Sequence, residues 1–150
     1  MPDQTTQTIT IDVPPERVLE VVLDVAHYPE WATDIKSVEI LRNDLDGRAG
    51  LVAYRAAAMG RSTSYQLRYY FGSNPLRVSW RLAEGDVVSR MDGEYILETG
   101  VDGSSTVVTY HLSVDMRVPL PGFVKRRAEA RIVHTALGEL KARAERPVVI

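Results

Sequence analysis

At 150 residues, 45% hydrophobic and 25% charged, the chain has the size and composition of one soluble globular domain with one core. Its net charge of -2 argues against whole-protein attraction to nucleic acid, and its zero cysteines exclude disulfides, thiolate metal sites and a cysteine nucleophile. No run reaches the roughly 18 apolar residues of a spanning helix, and the opening Met1-Pro2-Asp3-Gln4 lacks the basic-then-apolar layout of a secretory signal, so the expectation is a cytoplasmic protein with one domain over residues 1–150.

Residues 6–13 alternate polar and apolar, with Ile9, Ile11 and Val13 on one side, which predicts a half-buried strand. Pro14 and Pro15 stop it, and Val18, Val21, Val22 and Val25 then recur at helical spacing, predicting a short amphipathic helix over 15–24. Residues 24–31 form a turn into a second short helical piece, limited by Pro29, with Tyr28 and Trp31 three apart on one face. From 35 to 116 the pattern is a series of six strands. They are punctuated by Asp44-Leu45-Asp46-Gly47, by Met59 and Gly60, by Gly72-Ser73-Asn74-Pro75, by Glu84-Gly85-Asp86 and by Asp102-Gly103. These connections are too short for helical crossovers, so the pairing is expected to be antiparallel. Alternation marks Tyr65, Leu67, Tyr69 and Phe71, then Val78, Trp80 and Leu82, then Met91, Tyr95 and Leu97, then Val108, Tyr110, Leu112 and Val114 as the core face.

Pro119-Leu120-Pro121-Gly122 ends the sheet, and the proline-free stretch to Arg146 predicts one long helix. Its buried stripe is Ala130, Val133, Ala136, Leu137, Leu140 and Ala144, with Ile132 beside it, while Arg127, Arg131, His134 and Gly138 face water. About 24 helical residues reach roughly 36 Å, and seven strands span about 30 Å, so the helix crosses the whole sheet. The fold class is therefore α+β, a curved seven-stranded antiparallel sheet wrapped around a C-terminal helix. An alanine-rich stripe facing aromatic strands is short of side-chain volume, which predicts an internal cavity. The predicted lining is Trp31, Tyr54, Tyr65, Leu67, Tyr69, Trp80, Met91, Tyr95, Val108, Tyr110 and Leu112 from the sheet side, and Ile132, Val133, Ala136 and Leu137 from the helix.

No chemistry-bearing constellation emerges. His27, His111 and His134 are scattered without metal spacing, Ser62, Ser64, Ser104 and Ser105 lack a nucleophile-elbow pattern, and the Gly47-Arg48-Ala49-Gly50 stretch precedes no helix that could hold a phosphate. No cofactor and no metal are expected. Arg68 and Arg81 alternate outward, and Arg55 and Arg90 are open in either direction. Residues 122–146 carry seven Lys/Arg against three Asp/Glu, a surplus of four that leaves -6 elsewhere; Lys125, Arg126 and Arg127 offer a weak peripheral contact with an acidic membrane or protein surface.

The order strand, two short helices, six strands, long helix is that of the helix-grip fold. The sequence resembles the START-related polyketide cyclase/dehydrase and lipid-transport family, the SRPBCC superfamily, in its small stand-alone actinobacterial type. The resemblance runs nearly end to end and rests on Thr8-Ile9-Thr10-Ile11-Asp12-Val13-Pro14-Pro15-Glu16-Arg17-Val18, on Val25-Ala26-His27-Tyr28-Pro29-Glu30-Trp31, and on Val118-Pro119-Leu120-Pro121-Gly122-Phe123-Val124-Lys125-Arg126-Arg127. It implies a cavity between sheet and helix that takes sterols, quinones, other lipids or polyketide intermediates. The residues favour carriage or sensing of a hydrophobic molecule over catalysis. The alternatives are a polyketide aromatase/cyclase or dehydratase, with Tyr54, Tyr65, Tyr69 and Arg55 as first candidates, and a protein-interaction module of the ribosome-associating toxin type.

Overall fold

The computed structural model describes residues 4–58 and 61–146, so the turn expected at Met59 and Gly60 lies outside the described residues. The element order is β1 (Thr5–Ile11), α1 (Pro15–Leu23), a 3-10 turn (Val25–His27), α2 (Tyr28–Trp31), β2 (Ile35–Asn43), β3 (Ala49–Ala58), β4 (Arg61–Ser73), β5 (Leu76–Gly85), β6 (Val88–Thr99), β7 (Thr106–Met116) and α3 (Gly122–Ala144). Pro15 opens α1, where its missing N–H has no partner to lose, and Val18, Val21 and Val22 turn inward as their spacing requires. No helix among the described residues is long and apolar enough to cross a membrane.

All strand pairs are antiparallel in the order β1-β7-β6-β5-β4-β3-β2. Hairpins account for every neighbour except β1 with β7, and α1 and α2 carry the chain from that edge of the sheet to the opposite one at β2. Register shifts interrupt β2/β3 at three places, β4/β5 between Gln66 and Leu67, and β6/β7 between Val88 and Arg90. Such bulges add a residue to one strand and bend it, which curves the sheet around α3.

The helix rests mainly on β1, β7 and α1. Its fully buried row is Glu129, Val133, Leu137, Leu140 and Ala144, and Arg127, Arg131, His134 and Gly138 are exposed. The carboxylate in that row completes the sheet edge. Among the described residues β1 covers β7 as far as the Thr5–Leu112 pair, and beyond it the N–H of Val114 donates to Glu129 Oε2 at 2.7 Å. Glu129 also accepts from Thr5 Oγ1 at 3.1 Å and pairs with Lys125 Nζ at 3.1 Å.

An aromatic cavity between sheet and helix

Strand alternation delivers one ring after another to the concave face. Tyr54 pairs with Tyr65 across β3/β4, Tyr69 with Trp80 across β4/β5, and Tyr95 with Tyr110 across β6/β7. Trp80 sits opposite Gly93 on β6, and an added Cβ there would lie 2.3 Å from the indole ring, so only glycine lets the ring lie flat against that strand. Centroids run Tyr54 to Tyr65 at 5.6 Å, Tyr69 to Trp80 at 6.0 Å, Trp80 to Tyr95 at 5.3 Å and Tyr95 to Tyr110 at 4.5 Å. From α2, Tyr28 stacks on Tyr54 at 6.3 Å and meets the edge of Trp31 at 5.1 Å.

These rings enclose a cavity of about 170 Å³ whose other walls are Ile132, Thr135, Ala136 and Glu139 of α3, Ala32, Asp34 and Ile35 of the α2–β2 turn, and Val88, Met91, Leu112, Val114 and Met116. Ala56, Ala57 and Thr63 complete it. Inside, the hydroxyls of Tyr54 and Tyr69 are hydrogen-bonded to each other at 2.5 Å, and that of Tyr28 donates to the carbonyl of Val22. The hydroxyls of Tyr65, Tyr95 and Tyr110 and the indole N–H of Trp80 have no hydrogen-bond partner among the described residues, and all four residues are buried in the cavity wall. Burial pushes the six lining tyrosines above their ordinary ionisation range, with the charge of Asp34 adding at Tyr65 and that of Glu139 at Tyr95.

Apart from tyrosines, the ionisable lining groups are Asp34 and Glu139, with no lysine, arginine or histidine among the described residues of the wall. They share one end of the cavity: both Glu139 oxygens accept the N–H of Thr33, at 3.3 and 3.2 Å, next to Asp34 in the chain. The arrangement can surround an apolar body with π faces and offer it hydroxyl donors.

Of the residues expected to line the cavity, Trp31, Tyr54, Tyr65, Tyr69, Trp80, Met91, Tyr95, Tyr110, Leu112, Ile132 and Ala136 do so. Leu67, Val108, Val133 and Leu137 do not: they are buried in the hydrophobic core, to which α1, packed on α3 and β6, adds Val18, Val21 and Val22. Tyr28, Asp34, Thr63, Thr135 and Glu139 join the lining without having been expected there. The helical pairing of Tyr28 with Trp31 is a usable signal, whereas the polar four carry none in an alternation pattern.

The charged residues fall elsewhere. Arg55, Arg68 and Arg81 are exposed, and Arg90 reaches Asp115 at 2.7 Å, Asp92 at 3.0 Å and Ser113 at 2.7 Å. Arg55 is therefore not in the cavity and drops out of the catalytic candidates. Lys125 is also a correction to the expected basic contact, because its ammonium is turned to Glu129 and Asp115, at 3.1 and 3.6 Å, leaving Arg126 and Arg127 exposed beside it. His111 bonds to Thr6 at 2.7 Å, His134 is exposed, and His27 sits between Asp24 and Glu30. No group of three or more His, Cys, Asp or Glu among the described residues is placed to hold a metal ion.

A family model described as polyketide cyclase / dehydrase and lipid transport matches residues 2–145. No curated protein matches the chain. Among solved structures, the fold is similar to a START superfamily protein from Mycobacterium smegmatis, with a TM-score of 0.88 and 22% identity over 95% of this chain and 97% of that one. It is also similar to the Zhui aromatase/cyclase from Streptomyces sp. R1128, at a TM-score of 0.83 and 20% identity over 97% and 95% of the two chains. A third likeness is TTHA0849 from Thermus thermophilus, at a TM-score of 0.78 and 21% identity over 95% and 97%. At these identities the likenesses establish the fold.

Proposed function

Because the chain belongs to the polyketide cyclase/dehydrase and lipid transport family, we propose that it binds and carries or senses a hydrophobic small molecule in the cavity between its sheet and α3. The observation that carries this reading is the aromatic space of about 170 Å³ between sheet and helix, with its paired and unpaired tyrosine hydroxyls. Close packing is the rule in protein interiors, and a void on this scale lined by rings loses contacts that a ligand would restore. The entropy cost of association is offset by burial of apolar ligand area and by stacking.

Native mass spectrometry of protein purified from its own host tests the reading. A retained small-molecule mass is expected, together with a higher Tm than that of delipidated protein by mass action. Ala136→Trp, which fills the space from α3, should abolish the retained mass while the protein remains folded. An unliganded protein whose Tm no hydrophobic extract changes would refute carriage.

One observation favours a second reading, cyclisation or dehydration of a poly-ketone: the Tyr54–Tyr69 hydroxyl pair, in which one proton bridges and the other is left to polarise a carbonyl. Turnover of a poly-ketone that Tyr54→Phe and Tyr69→Phe each abolish would support it, and turnover indifferent to both would remove it.

A further inference from the structure

The cavity's polar groups are distributed in a way that an all-apolar ligand does not explain. Tyr65, Tyr95 and Tyr110 are each more than nine-tenths buried and line the cavity, yet their hydroxyls have no partner among the described residues, and neither has the indole N–H of Trp80 in the same wall. These donors come from four different strands, β4 to β7, and converge on one space. A hydrocarbon seated there would strip the hydroxyls of any water and return no hydrogen bond, whereas an oxygen on the ligand would take the water's place.

Charge sets a second condition. The lining holds two carboxylates at its solvent-facing end, exposed Asp34 and half-buried Glu139, and no cation to pair an anionic head group. A carboxylate or phosphate on the ligand would either sit among the rings without a counter-ion or meet like charge at that end. Size sets a third. An engineered apolar cavity of about 150 Å³ takes one benzene, so a space of about 170 Å³ suits a body of one or two rings, with any longer chain left outside.

We infer that the ligand is a ring-sized aromatic or quinonoid molecule that bears carbonyl or phenolic oxygens and no negative charge, its oxygens held by the hydroxyls of Tyr65, Tyr95 and Tyr110. This rests on the cavity being the binding site and narrows it: fatty acids and anionic phospholipids are rejected.

Calorimetric titration and thermal shift with two matched probe sets test the inference: ethylbenzene, acetophenone and benzoate at one ring, and 2-ethylnaphthalene, 2-acetonaphthone and 2-naphthoate at two. The ketone of each set is expected to bind about three- to tenfold tighter than its hydrocarbon, the increment of one net hydrogen bond, and the carboxylate at least about tenfold weaker than the ketone. Tyr65→Phe, Tyr95→Phe and Tyr110→Phe combined should bring the ketone-to-hydrocarbon ratio near one while leaving Tm unchanged or higher, since the hydroxyls removed hold nothing in the free protein. Asp34→Asn with Glu139→Gln should improve the carboxylate severalfold relative to the ketone. A hydrocarbon or a carboxylate that matches its ketone overturns the inference and leaves the cavity reading standing. If no probe of either set binds, the cavity reading fails and the inference falls with it.

Discussion

Replacing Glu129 by alanine removes the acceptor that the structure gives to the N–H of Val114 and deprives Lys125 of its nearer carboxylate. Glu129 is 1% exposed, so its partners cannot be replaced by water without opening the α3–β7 contact. Truncating one partner of a buried ion pair costs about 3–5 kcal/mol, and a stranded backbone donor costs about 1–3 kcal/mol. These penalties overlap. Lys125 is one-fifth exposed and can swing to Asp115, which already lies 3.6 Å away, and Thr5 is half-buried and can find solvent. The expected loss is therefore about 3 kcal/mol, comparable to the ~2–5 kcal/mol for removing a core leucine. Glu129→Gln keeps an oxygen for Val114 and loses only the charge, so it should cost about 1–2 kcal/mol. Urea unfolding with m held constant is the assay, with Leu137→Ala as the apolar reference. At a typical m of about 1.5–2 kcal/mol/M, the Ala variant should unfold roughly 1.5–2 M earlier. A Glu129→Ala midpoint within the error of the parent would refute the role assigned to this carboxylate.

Other perturbations test other parts of the structure. Gly93→Ala puts a Cβ 2.3 Å from the Trp80 indole, which is buried and cannot swing aside, so a loss of about 1–3 kcal/mol and an altered Trp fluorescence maximum are expected; an unchanged spectrum and midpoint would contradict the close approach. The buried tyrosines hold their protons above the ordinary value near 10, whereas in the unfolded chain they release them there. The tyrosine contribution to stability should accordingly be flat up to about pH 10 and fall above it, and absorbance at 295 nm should show these hydroxyls ionising only as the protein unfolds. With Tyr70→Phe removing the exposed tyrosine, reversible ionisation near pH 10 in the folded protein would count against their burial. His27 has its pKa raised by the hydrogen bond from its ring to Asp24, then by the charges of Asp24 and Glu30, so its contribution is present at low pH and lost as pH rises through the folded value. An NMR titration of its ring protons should give a midpoint above 6.5 that drops in Asp24→Asn, and an unmoved midpoint would contradict the pairing.

Strand periodicity makes much of this readable. Because side chains alternate, Tyr65, Tyr69, Trp80, Tyr95 and Tyr110 have to share a face whatever the exact register, and the short connections leave antiparallel hairpins as the simplest pairing. Alternation reports which face a side chain takes but not its distance along the strand from a capping element. For that reason Leu67 and Val108, whose pattern matches that of the lining residues, are not separable from them until the packing of the core is seen. The same holds for Val133 and Leu137 on the helix. Glu129 escapes a reading of the sequence for a different reason: a helical stripe is recognised by apolar residues, and an acid four residues before Val133 is taken as outward unless its partner is known. That partner, the N–H of Val114, lies beyond the Thr5–Leu112 pair of the β1/β7 ladder, a fact of tertiary register. Lys125 looks like a surface cation by the same habit.

The three irregularities in the β2/β3 ladder have a consequence beyond curvature. β2 is the outer strand opposite β1, nine residues long and mostly exposed, with Ile40 and Leu41 each 41% accessible, so a straight version would present a row of free amides and carbonyls flanked by apolar side chains. That is a template onto which the β2 of another molecule could add. The shifts at Ser37, Arg42 and Asn43 break the repeat of that row every few residues, so the bends that help shape the interior of one molecule also keep its margin from seeding a sheet shared by many.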